Sequence, residues 1–247
     1  MTNKMFKNFK RMMLAVIVAP SLAFAAGPGG ALDRAPVSMD QASLQHGAKL
    51  FVNYCMNCHA ASFMRYNKLT EIGLTEEQIV DNLMFSGERV GDQMTIAMRP
   101  GEAREWFGTI PPDLTLVARQ RNSSAGSGAD WLYTYLRTFY RDSERPTGWN
   151  NVVFENVGMP HALWELQGHQ VAEVDENGVT RLVLDEPGRM NAAEYDAAVA
   201  DLVSFLVWMG EPGAQKRQTI GIFVLIFLVG FTLLAYALKK NYWKDIH

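Results

Sequence analysis

Cysteine is nearly absent from this sequence: Cys55 and Cys58 are the only two among 247 residues. That excludes a disulfide framework, which small secreted folds build from four or more cysteines. A bridge between residues so close together would close too short a loop to constrain much, so local chemistry is the better reason for the pair. Positive charge is also in short supply. Lys and Arg number 23 against 26 Asp and Glu, a net charge of −3. Four of those bases, Lys4, Lys7, Lys10 and Arg11, sit in a leading segment without any acid, which leaves 19 bases against 26 acids and a net −7 for the rest. A surface of that sign argues against nucleic acid and suits a basic soluble partner, although simple solubility explains it equally well. No internal repeat is visible.

Two stretches lack charge. The first follows the basic start and runs from Met12 to Phe24, with small residues at Ala23 and Ala25. It is short for a membrane span and has the form of a secretory signal, so residues 1–25 are expected to be cleaved. The second, Thr219 to Leu238, is 20 residues long. As a helix rising about 1.5 Å per residue it matches a hydrocarbon core of roughly 30 Å. Lys239, Lys240 and Lys244 follow it, with Tyr242 and Trp243 at interfacial depth. The expected organisation is a signal peptide over 1–25, a periplasmic domain over 26–215, a transmembrane anchor over 216–240 and a cytoplasmic tail over 241–247. The signal peptide sets the orientation: a single pass through the inner (cytoplasmic) membrane, with the bulk of the chain on the periplasmic side.

Signals in the intervening domain are mostly helical. Ser38-Met39-Asp40-Gln41 resembles a capping box, and Leu44, Ala48, Phe51, Val52 and Cys55 then share a helical face. Thr75-Glu76-Glu77-Gln78 predicts a second helix through about Met84, and a third is expected over Asp130–Tyr140. The last begins near Asn191, carries Tyr195, Val199, Leu202, Val203, Leu206 and Met209 inward, and stops at Glu211-Pro212-Gly213. Two runs between Val171 and Leu184 flank Asp175-Glu176-Asn177-Gly178 and read as a β-hairpin. Gly126 and Gly128 mark a flexible loop. The fold class expected is mainly α, with long loops and a small hairpin, plus one C-terminal transmembrane helix.

The chemistry lies in Cys55-Met56-Asn57-Cys58-His59. The spacing C-x-x-C-H is that of c-type haem attachment: two thiols add to two vinyl groups, and the next residue sets an imidazole beneath the iron. A zinc site would want four ligands, with no third cysteine to supply one, and a dithiol redox motif needs no adjacent histidine. A c-type cytochrome haem domain with one covalent haem c through Cys55 and Cys58, and His59 as iron ligand, is therefore expected. A thioether is the natural sixth ligand of an electron carrier. Met159, between Gly158 and Pro160, is the foremost of 13 methionines. Met94, Met98 and Met190 are rivals otherwise assigned to packing, and His161 competes from the same loop. His46 and His169 read as ordinary polar residues. Arg119 and Arg121 are candidates for the haem propionates, with surface solvation the plainer reading of each. Trp131, Tyr135 and Phe139 either wall a haem pocket or pack the core.

The order of these parts resembles the cytochrome c1 family, the haem subunits of the cytochrome bc1 complex (quinol–cytochrome c oxidoreductase). The likeness runs from about Leu44 to Trp243. It rests on the haem motif, Met98-Arg99-Pro100-Gly101, Pro111-Pro112-Asp113-Leu114, Gly158-Met159-Pro160, and Phe205-Leu206-Val207-Trp208 with Glu211-Pro212 before the anchor. The resemblance implies His59 and Met159 as axial ligands and Arg121, then Arg119, as propionate partners. It implies cytochrome b and a Rieske iron–sulfur protein as neighbours, cytochrome c as acceptor, a dimeric complex, and a chain that is a redox subunit rather than an enzyme on its own. The stretch between Pro100 and Pro111 is shorter than in some relatives, and a structural disulfide found in some cannot form here. Two other functions fit the motifs: an anchored mono-haem cytochrome serving a terminal oxidase or reductase, and a haem-free zinc-binding or scaffolding protein.

Overall fold

The computed structural model describes residues 32–174 and 180–244. The expected signal peptide, the hairpin turn at Asp175–Gly178 and the end of the expected tail lie outside those residues.

Helix α1 (Gln41–Leu50) starts where the Asp40 carboxylate accepts the Ser43 N–H at 2.9 Å. The cap is thus Asp40 and not Ser38, whose hydroxyl donates to the Asp40 carboxylate instead. Two oxygens two residues apart competed for the role, and the carboxylate is the stronger acceptor. After Leu50 the helix widens into a π-helical turn, Phe51–Cys55, closed by the Met56 N–H on the Phe51 carbonyl at 3.1 Å. Leu44, Ala48, Phe51 and Val52 are buried as their spacing predicts, whereas Cys55 is half-buried. The wider turn breaks the α-helical period just before the haem motif.

Strands β1 (Ala61–Arg65) and β2 (Gln93–Met94) pair antiparallel. Between them lie a 3-10 segment, Tyr66–Ile72, and helix α2 (Glu76–Asn82), which opens on the predicted Thr75–Gln78 capping box and ends two residues before Met84. Helix α3 (Pro100–Phe107) and the short α4 (Val117–Gln120) lead to α5 (Gly128–Arg137). The Ser127 hydroxyl and Asp130 cap α5 reciprocally, so it begins before Asp130. It stops at Arg137 because the next residues leave to form β3 (Phe139–Arg141), antiparallel to β4 (Trp149–Asn151). The preceding glycines are not the flexible loop expected of them. Ser123 and Gly126 form a β-bridge, and a Cβ on Gly128 would lie 2.0 Å from the Ala118 carbonyl oxygen.

Helix α6 (Trp164–Gln167) precedes the hairpin β5 (Gly168–Val174) and β6 (Thr180–Pro187), which is longer than predicted. Helix α7 (Ala192–Gly210) begins at the Asn191–Glu194 box, and all six residues expected to face inward are buried. Helices α1 and α7 cross in van der Waals contact at Gly47, with the Phe51 and Phe205 rings 5.5 Å apart beside the crossing. Helix α8 (Ala214–Tyr242) has 29 residues and no buried side chain. Among the described residues it is the one helix long and apolar enough to cross a membrane, with a mean hydropathy of 2.6 over its most apolar window.

Candidate haem site

The π-helical turn hands the chain to a tight bend in which the N–H groups of Cys58 and His59 both donate to the Cys55 carbonyl, at 3.1 and 2.9 Å. That bend brings both sulfurs and the imidazole to one cleft of about 330 Å³. Burial, then the neighbouring Cys58, pushes the Cys55 thiol up to about 12, and burial raises Cys58 as well. Both are neutral thiols in the unmodified chain.

His59 is buried, and its Nδ1 lies 2.8 Å from the Pro112 carbonyl oxygen. A carbonyl can only accept, so Nδ1 carries the proton and Nε2 keeps its lone pair, the tautomer a metal requires. Burial pushes this imidazole's pKa down, opposed by the Pro112 carbonyl and the Asp113 charge. The Pro111–Leu114 segment is itself fastened. Asp113 accepts from the Ser62 N–H at 2.7 Å and from the Thr115 N–H and hydroxyl at 2.8 and 2.6 Å, and the Leu114 N–H donates to the Ala60 carbonyl at 2.9 Å. A segment identified in the sequence by its prolines thus orients the histidine.

Met159, half-buried between Gly158 and Pro160, lines the same cleft. Its sulfur accepts the Tyr135 hydroxyl at 3.4 Å. The three rival methionines do not line it. Met94 is fully buried in the core, Met190 packs against the core, and Met98 borders a separate depression. His161 is buried behind the cleft, stacked on Phe139 at 4.9 Å and edge-on to Trp149 at 5.2 Å. His46 sits 2.8 Å from Asp201, and His169 is 3.6 Å from Glu186.

The two arginines separate. Arg121 lines the cleft with its guanidinium 4.3 Å above Trp131 and 5.7 Å from Phe154. Arg119 does not line it. It bonds to Glu211 at the end of α7, a carboxylate that also takes Arg217 at 2.9 Å. Of the two arginines expected to serve propionates, the fold brings Arg121 to the cleft, while Glu211 holds the Arg119 guanidinium away from it. Of the three aromatics, Trp131 and Tyr135 form the wall, while Phe139 is wholly buried behind them. Sequence reasoning missed Tyr54, Phe107, Ile110 and Phe154, which also line the cleft. It placed Leu202 and Leu206 in the core, where their outer side is cleft wall too.

These residues fit a c-type haem. Two thiols at the required spacing, an imidazole with a free nitrogen and a thioether converge on one largely apolar cleft, with the Arg121 guanidinium available for carboxylates.

Residues 33–246 match the Cytochrome C1 family. The chain is 50% identical over 242 residues to a protein of Nitrosomonas europaea named "Ammonia monooxygenase gamma subunit", covering 98% of this chain and 100% of that one. It is 45% identical over 249 residues to the cytochrome c1 of Allochromatium vinosum, covering 96% and 100%. It is also 26% identical over 251 residues to the "Cytochrome b/c1" of Bradyrhizobium diazoefficiens, covering 90% of this chain and 35% of that one.

Proposed function

The chain belongs to the cytochrome c1 family, and from that premise we propose that it is the anchored electron relay of a quinol–cytochrome c oxidoreductase. It takes electrons from a Rieske iron–sulfur protein and passes them to a soluble or anchored cytochrome c. The observation that carries this is the convergence of Cys55, Cys58, His59 and Met159 on one apolar cleft, in a chain that ends in an unburied apolar helix.

When bound, the haem supplies one-electron exchange between ferrous and ferric iron. The chain's residues do the rest. Cys55 and Cys58 would tether the group by thioether links, so that it would stay in place with few other contacts. His59, its tautomer set by the Pro112 carbonyl, would offer Nε2 to the iron. Met159 would offer its sulfur as a further ligand, which would favour the reduced state and block small molecules. Arg121, free of any carboxylate partner among the described ion pairs, would meet the propionates, with its guanidinium held over the Trp131 ring. Tyr135, Leu202 and Leu206 keep water from the cleft.

The working domain lies on the periplasmic side of the inner membrane, and α8 spans it beside cytochrome b. A relative whose name joins cytochrome b and c1 in one polypeptide supports that proximity. The chain is a relay within a dimeric assembly, and quinol oxidation belongs to the assembly. The monooxygenase name of the Nitrosomonas relative and the oxidase-serving alternative are separated from this reading by one experiment. The chain is captured from its native membrane in mild detergent and its companions are identified. Cytochrome b and an iron–sulfur protein, with quinol-dependent reduction of added cytochrome c, are the expected result. A terminal oxidase or monooxygenase subunits in their place, without that activity, would overturn it.

A further inference from the structure

We propose that Tyr135 is a positioning residue for the axial thioether: its phenol donates a hydrogen bond to Met159 Sδ and so tunes the reduction potential of the haem. The inference rests on Met159 being the sixth ligand.

The phenol is held from several directions. Trp131, one turn earlier on α5, stacks on its ring at 4.7 Å and 14°. Phe139 meets it edge-on at 4.9 Å. The Asn151 side-chain N–H donates to the Tyr135 carbonyl at 2.8 Å, fixing the backbone beneath. The residue is only 8% exposed, so the hydroxyl has little access to water, and Met159 Sδ at 3.4 Å is its hydrogen-bond partner. A buried hydroxyl without a partner is costly, so the sulfur satisfies the tyrosine as the tyrosine orients the sulfur.

A thioether sulfur has two lone pairs. One serves the metal, and a donor on the other fixes which one that is. The O–H also draws electron density from the sulfur and points the positive end of its dipole toward the iron. Both effects disfavour ferric iron, which carries the extra positive charge, and so raise the potential. Hydrogen bonding to a ligand atom is an established lever on haem potential. The donor, Tyr135, lies outside both the haem motif and the Gly158–Pro160 segment.

The test uses the full haem-loaded chain and two replacements. Tyr135→Phe keeps the stacked ring and removes only the donor. Its potential should fall by up to a tenfold change in the one-electron exchange equilibrium, which is 59 mV. The ligand-to-iron charge-transfer band of the oxidised protein should move while remaining present. Substituting a ring-fluorinated tyrosine at 135 strengthens the donor with little change of shape, and the potential should rise. An unchanged potential and band in both proteins, with the wild-type band present, would overturn the role of Tyr135 and leave Met159 as ligand. Absence of the band from the wild type would overturn both. A purely structural role would lower the melting temperature without moving the potential, and that too counts against the proposal.

Discussion

Replacing Gly47 with alanine tests how the fold supports the haem motif. A Cβ at Gly47 would lie 2.1 Å from the Asp201 carbonyl oxygen and 2.7 Å from Phe205 Cβ, where ordinary contact begins near 3.4 Å. The first obstacle is the backbone of α7, so no side-chain rotation relieves it, and α1 and α7 must separate by roughly 1 Å in a close-packed core. Overpacking of this kind costs about 1–3 kcal/mol, and a backbone obstacle belongs at the upper end. Alanine returns about 1 kcal/mol through its better helix propensity. The net loss of about 2 kcal/mol corresponds to a fall in melting temperature of about 4–8 °C for a chain of this size. Because α1 runs straight into the turn that carries Cys55, the displacement should also disturb the haem's circular dichroism below the melt. The assay is thermal unfolding of the haem-loaded chain in detergent, followed at backbone and haem wavelengths. Gly101→Ala is the control, since nothing lies within 4 Å of its added Cβ. If Gly47→Ala melts at or above the wild type, the tight helix crossing is wrong.

The two arginines should part company in a redox titration. Arg121→Gln removes a positive charge from the cleft and should lower the potential, while Arg119→Ala breaks a half-exposed bridge to Glu211, leaves the potential alone and costs no more than about 1 kcal/mol. Met159→Leu should lower the potential further than any other single change and abolish the charge-transfer band. Asp130 gives a pH-dependent prediction. Burial pushes its carboxyl up, but the Ser127 hydroxyl, the Ala35 and Ser127 N–H groups and nearby Arg34 outweigh this and hold it below the usual range. Its stabilisation is therefore complete above the unfolded value of about 3.9 and is lost as pH falls through the lower folded value. Wild type should melt above Asp130→Asn at neutral pH, and the difference should vanish in stronger acid.

What was legible in the sequence was local. The Asn191–Glu194 and Thr75–Gln78 boxes need only residues three apart, and both helices start there. The haem motif is likewise five consecutive residues, and the long uncharged run lies within α8. What escaped depends on residues far apart in the chain. His59 is oriented by a carbonyl 53 residues away and Met159 is touched by a tyrosine 24 residues away, neither of which any spacing encodes. Residue type and spacing leave Arg119 and Arg121 equivalent; the resemblance ranks Arg121 first, and in the fold Glu211 at the end of α7 holds Arg119 away from the cleft. Helix α5 was expected to continue to Tyr140 because its apolar period does, but pairing with β4 captured Phe139–Arg141. Gly126 and Gly128 read as a flexible loop in the sequence, but at Gly128 the requirement is close approach of the Ala118 backbone, a contact between distant residues.

The most direct test of the central claim is the intact mass of the mature chain isolated from its own membrane, compared with that of a Cys55→Ala, Cys58→Ala variant. The account predicts that the wild-type polypeptide carries the mass of one haem through denaturation and that the variant does not. A wild-type chain with the mass of polypeptide alone would contradict it.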